Sequence, residues 1–115
     1  MSVTTTPMTL EDYLNYDDGT DTRYELVDGV LVDMGAESTI NTIIAGFLFL
    51  QFAAIGIPGY RIGFKQMIAV SSSRVTARDP DLIVHSEGSF AAIDGLPQAF
   101  LRADAPVPLM IVEIV

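Results

Sequence analysis

The sequence predicts an α/β chain of the α+β kind, with a mixed β-sheet packed against one long apolar helix. Three observations predict it. The turn dipeptide Asp28-Gly29 lies between two short strand-like runs. An apolar stripe of helical period runs through residues 37–56. Two more apolar runs, 81–85 and 108–115, each carry one acid. The length of 115 residues suits a single domain, 1–115.

The elements follow in order. Thr9 precedes Leu10-Glu11-Asp12-Tyr13-Leu14, a short helix whose cap and early acids suit the N-terminal dipole. Asp17-Asp18-Gly19-Thr20-Asp21 is a loop by composition. Arg23 to Met34 then reads as a hairpin, because Asp-Gly readily takes the positive φ angles of a tight turn.

Residues 40, 43, 44, 47, 48, 52 and 55 are apolar, the stripe of a core helix. Ser38 or Thr39 caps it, and Gly56 and Pro58 end it. Phe49 and Leu50 lie off the stripe, so burial on more than one side is expected. The stretch Ile40–Tyr60 carries no charge and is about as long as a membrane span. Asn41, Thr42, Gln51, glycines and Pro58 interrupt the stretch, and no Lys/Arg cluster flanks it, so no span is expected.

Tyr60 to Val70 is strand-like, with a break near Lys65-Gln66. Ser71-Ser72-Ser73 reads as a polar turn, and Arg74-Val75-Thr76-Ala77 as the start of another strand. Asp81-Leu82-Ile83-Val84-His85 is an apolar run led by an acid. Residues 86–106, rich in Gly, Pro, Ala and small polar side chains, read as a long excursion. Pro108 to Val115 closes the chain as a buried strand bearing one carboxylate, Glu113.

Composition excludes several chemistries. No Cys is present, so disulfides and thiolate-bound zinc or iron–sulfur centres are ruled out. His85 is the single His, so a zinc site built on several His is ruled out too. A metal must be held by oxygen, which points to Mg²⁺, Mn²⁺ or Ca²⁺. No secretory signal opens the chain, and with no Cys an intracellular, cytoplasmic protein is expected.

The net charge of −9 argues against simple phosphate binding. Its distribution is uneven. Residues 1–37 hold nine of the fifteen acids and one base, whereas 61–78 hold Arg61, Lys65, Arg74 and Arg78 and no acid. That stretch reads either as a local phosphate-contacting patch or as solvated strand faces.

Asp81 and Glu113 stand out by context. A carboxylate in an apolar run is costly to bury unless paired, protonated or metal-bound. Two strands of one sheet can bring two acids together, and a divalent cation removes their repulsion. Structural roles are equally open: Asp81 as a strand cap after Pro80, and Glu113 as an edge residue or partner of Arg61 or Arg78.

The order Arg23-Tyr24-Glu25-Leu26-Val27-Asp28-Gly29, then Pro80-Asp81-Leu82, then Leu109-Met110-Ile111-Val112-Glu113-Ile114-Val115 resembles the Uma family of restriction-endonuclease-like proteins, within the PD-(D/E)xK superfamily. The resemblance spans nearly the whole chain. It implies a restriction-endonuclease-like fold and a Mg²⁺- or Mn²⁺-dependent endonuclease acting on DNA. Asp81 matches the motif Asp, Glu113 the second acid, and Glu25 a characteristic hairpin acid. Two departures follow. Val115 stands where the motif expects Lys, and the family's C-terminal helix and strands lie beyond the sequence, which reads as C-terminally truncated. Activity is therefore expected to be weak or absent, and nothing in the sequence brings Lys65 to the site. The alternative is a non-catalytic, oligomerising module of the same fold, most simply a dimer closing over an exposed last strand.

Overall fold

The computed structural model describes residues 8–35, 38–70 and 76–114. The expected Ser71-Ser72-Ser73 turn, Arg74, Val75, the opening residues 1–7 and Val115 lie outside them.

Thr9 caps helix α1 (Leu10–Leu14) through a reciprocal box with Asp12: each side chain accepts the other's backbone N–H. Strands β1 (Tyr24–Val27) and β2 (Val30–Asp33) form the hairpin, paired from Tyr24↔Asp33 to Val27↔Val30. Asp28 at φ 50° and Gly29 at φ 81° supply its left-handed turn. Helix α2 (Thr39–Ala54) starts at Ser38, whose side chain accepts the Asn41 N–H, and gives way to Gly56 at φ 103°.

After a short 3₁₀ turn at Gly59–Arg61 come β3 (Ile62–Phe64) and β4 (Met67–Val70). The break between them is Lys65, at φ 54°. Strands β5 (Thr76–Arg78) and β6 (Leu82–Val84) follow. The expected excursion contains two elements, helix α3 (Glu87–Ile93) and strand β7 (Phe100–Leu101). The reason lies in local and distant terms together. Ser86 caps α3 by accepting the Ser89 N–H, but only packing against Ile68 and Ile83 gives Ile93 somewhere to go. Strand β8 (Met110–Val112) ends the described structure.

The strands make two sheets. One has five strands in the order β2-β1-β5-β4-β7, antiparallel except for the parallel β4–β7 pair; the other has three, β3-β6-β8. Central β6 is buried throughout and faces two cores. Leu82 packs with Ala45 and Ile62, and with Leu48, Phe49 and Phe52 of α2, whereas Ile83 packs with Ile68 and Leu101 of the five-stranded sheet. Two of the chain's passages between the sheets are short loops that join consecutive strands directly, Lys65-Gln66 between β3 and β4 and Asp79-Pro80-Asp81 between β5 and β6. A mixed α+β architecture is the result.

Two expectations need correction. Helix α2 is not buried on more than one side. It turns Ala45, Leu48, Phe49 and Phe52 to the sheet and leaves Ile40, Ile43, Phe47 and Leu50 exposed. A helix that is apolar nearly all round does not announce which stripe will pack. Nor is the last strand buried: among the described residues β8 pairs only with β6, at a sheet edge, and Met110 and Ile111 are exposed. Among the described residues, no helix is long and apolar enough to cross a membrane.

Candidate active site

These two short crossings deliver charged side chains to one place. Asp81 leaves the β5–β6 crossing and is almost fully buried, at 6 % exposure. Its Oδ1 accepts a hydrogen bond from the Lys65 ammonium, which the β3–β4 crossing supplies. Its Oδ2 accepts the backbone N–H of Ile114 at 2.7 Å. Burial pushes the Asp81 carboxyl up, but Lys65 and the Ile114 N–H outweigh it and hold the group below the ordinary carboxylate range.

The Ile114 bond fixes the chain just past β8, where Glu113 stands. Glu113 therefore follows the strand instead of lying on it, and its backbone neighbour is tied to Asp81. Partial burial raises its carboxyl above the usual range, and repulsion from Glu25 and Asp81 adds to the rise. These three acids thus share one electrostatic environment. They line a single cavity of about 360 Å³ together with Arg23, Lys65 and Asp79.

Glu25 comes from β1. Its Oε2 accepts the Asp79 backbone N–H at 3.0 Å, and its Oε1 lies 3.8 Å from the Arg78 guanidinium. Asp79 is a fourth acid, which sequence reasoning did not single out. It pairs with Arg23 at 3.0 Å, yet its Oδ1 is buried with no hydrogen-bond partner among the described residues. Burial raises its carboxyl, against the pull of Arg23.

Lys65 was also missed as a site residue, and the structure shows what holds it. Gln66, the next residue, folds back over β3 so that its Oε1 meets His85 Nε2 at 2.7 Å. The other ring nitrogen, Nδ1, lies 3.0 Å from the Ser89 hydroxyl. Since Gln66 Oε1 can only accept, Nε2 carries the proton and Nδ1 accepts from Ser89. Burial, helped by the Arg61 charge, lowers the His85 pKa and keeps the ring neutral. The fold-back needs Gly63, because a Cβ there would stand 2.1 Å from Gln66 Oε1. The predicted break at Lys65-Gln66 was the one sequence signal that pointed here.

Among the described residues, the bases of 61–78 each have a separate partner. The Arg61 side chain donates to the His85 carbonyl, Lys65 meets Asp81, and Arg78 lies beside Glu25. Arg74 lies outside the described residues.

The donor set is one of oxygens, which suits a hard cation. Among the described residues, no three acidic or histidine side chains converge closely enough to hold one metal ion jointly. Two carboxylates remain compatible with Mg²⁺, which usually keeps several waters. The raised carboxyls of Glu113 and Asp79, and an Asp79 oxygen buried with no donor among the described residues, are what a cation would relieve.

The family model described as Uma2, "Putative restriction endonuclease", matches residues 10–115. No curated protein and no solved structure matches the chain.

Proposed function

The chain belongs to the Uma2 family, and from that premise we propose that its carboxylate cavity is a divalent-cation-dependent endonuclease centre acting on DNA. Asp81 and Glu113 hold Mg²⁺ or Mn²⁺, with Glu25 as the supporting acid. The observation that carries this reading is the shared cavity of Asp81, Glu113 and Glu25, with the Lys65 ammonium on Asp81.

Such an ion, when bound, polarises a phosphodiester and lowers the pKa of a water. The chain's own groups do the rest. The Ile114 N–H orients Asp81 and so fixes the spacing of Asp81 from Glu113. Lys65 supplies a positive charge beside the scissile phosphate, in the role of the motif Lys whose position Val115 occupies. Glu25 accepts the Asp79 backbone N–H and lies beside the Arg78 guanidinium.

Calorimetric titration with Mn²⁺ tests the metal site. The wild-type chain is expected to bind, and the double variant Asp81→Ala with Glu113→Ala to give negligible heat. Equal, negligible heats from both would sink the site. Plasmid nicking with Mg²⁺ tests the reaction, with Lys65→Ala expected to abolish it while leaving Mn²⁺ binding in place.

A second reading has its own support in the exposed apolar residues of α2 and the open edge of β8. A second copy of this chain is the occupant that fits. Two chains of net charge −9 repel except across an uncharged face, and α2 carries no charged residue. The β8 edges of two copies can pair about a two-fold axis. A monomer over a wide concentration range in sedimentation would end this reading.

A further inference from the structure

A second cavity, of about 390 Å³, opens between α2 and the β3–β4 crossing. Its walls are Ala45 and Gly46 of α2 and Phe64 of β3, with Thr42 adding a hydroxyl. It shares Arg23, Lys65 and Asp81 with the carboxylate cavity, so the two adjoin. An occupant of both therefore has an apolar part beside a polar one, and a phosphate suits the polar end once a cation sits among the carboxylates.

The apolar part is best met by a flat ring. Phe64 is half exposed, at 47 %, and its ring is stacked on Phe49 with centroids 5.6 Å apart at 27°. Phe49 in turn packs against the core of Ala45, Ile62 and Leu82, so the platform is fixed before anything binds. Gly46 leaves open space where a side chain would stand, with nothing within 4 Å of a Cβ. The volume falls within the roughly 300–1,000 Å³ usual for small-ligand pockets. Among the described residues Asp81 is the one acid on the walls, and it already meets Lys65, so the pocket walls repel a nucleotide less than the rest of this acidic chain does.

We propose that this pocket receives an unstacked nucleobase of single-stranded DNA, stacked on Phe64, while the adjoining phosphodiester lies at Asp81 and Lys65. A base inside a duplex keeps its faces in the stack and cannot enter without being flipped out. Single strands, frayed ends and loops are therefore the preferred substrates. The inference rests on the endonuclease reading for its phosphate and on the pocket walls for its base.

The test uses the whole chain, with Ca²⁺ in place of Mg²⁺ to suppress hydrolysis, and an eight-nucleotide single strand carrying 2-aminopurine. Binding is expected to quench the probe and to be tighter than for the same sequence as a duplex. Phe64→Ala should weaken binding about tenfold, the scale of one stacked base. Gly46→Leu puts a side chain into the pocket from a position whose Cβ has nothing within 4 Å, suits the helix, and should weaken binding to a similar extent. Equal affinity for single strand and duplex, unchanged probe emission, or wild-type affinity in Gly46→Leu overturns the pocket. Mn²⁺ binding by the same sample separates the two failures. Retained Mn²⁺ heat without a base effect removes the pocket alone, whereas a base effect without Mn²⁺ heat removes the endonuclease reading alone.

Discussion

The Lys65 ammonium donates a hydrogen bond to Asp81 Oδ1 across sixteen residues of sequence, and both residues lie where the chain passes from one sheet to the other. Each is held by backbone already committed elsewhere: Asp81 by the Ile114 N–H, Lys65 by a left-handed turn whose next residue is anchored on His85.

Lys65→Ala removes the charged partner of a nearly buried carboxylate and leaves its Oδ1 without that donor. The expected loss of stability is about 1–3 kcal/mol, the cost of leaving such a group unpaired, read from chemical denaturation at neutral pH. The sign of its pH dependence is fixed. Asp81 titrates below its ordinary 3.8 in the folded chain, so its contribution is present above that value and fades as pH falls below it. In Lys65→Ala that acid-side loss should shrink; an unaltered acid limb would contradict the role given to Lys65.

Glu113→Gln should act in the opposite sense. Glu113 titrates above its ordinary 4.5 when folded, so its charge costs stability as pH rises through the folded value. Removing the charge should stabilise the neutral-pH fold slightly, by no more than about 0.5 kcal/mol at this exposed position. The same variant should lose Mn²⁺ binding. A clear destabilisation would mean that Glu113 is held by a structural ion pair instead.

His85 gives a separate window. Its folded pKa lies below the ordinary 6.5, so the unfolded chain takes up the proton first and stability falls as pH drops below 6.5. No other histidine shares this window. Urea denaturation between neutral and mildly acidic pH should show the fall in the wild type. It should be reduced in His85→Gln, and equal slopes for the two would refute the assignment.

Gly63→Ala should push the Gln66 amide off His85. The flexible side chain can swing away, so the expected cost is that of the lost hydrogen bond, about 1–2 kcal/mol. The His85 imidazole resonances should shift. Wild-type stability with unshifted resonances would show that the fold-back does not anchor the crossing.

Ile43→Lys and Phe47→Lys place charges on the exposed stripe of α2. Both should leave monomer stability within about 0.5 kcal/mol. Any self-association seen by sedimentation should weaken; association that survives both points to the β8 edge alone.

The sequence by itself determined the elements whose cause is local. Thr9 with Asp12 starts α1, Asp28-Gly29 turns the hairpin, Ser38 and Gly56 bound α2, and Lys65-Gln66 breaks the strand. Each is a matter of caps or left-handed backbone within a few residues. It also marked Asp81, Glu113 and Glu25, because acids within apolar or motif-like runs stand out in one dimension. The tertiary structure decided what depends on partners distant in sequence. These include the stripe of α2 that meets the sheet, the helix within 86–106, and the edge position of β8. They also include the addition of Lys65 and Asp79 to the marked acids. A lysine's pattern of neighbours does not tell where its ammonium will point. That direction was decided only when two sheet crossings met and a buried histidine tied down one of them.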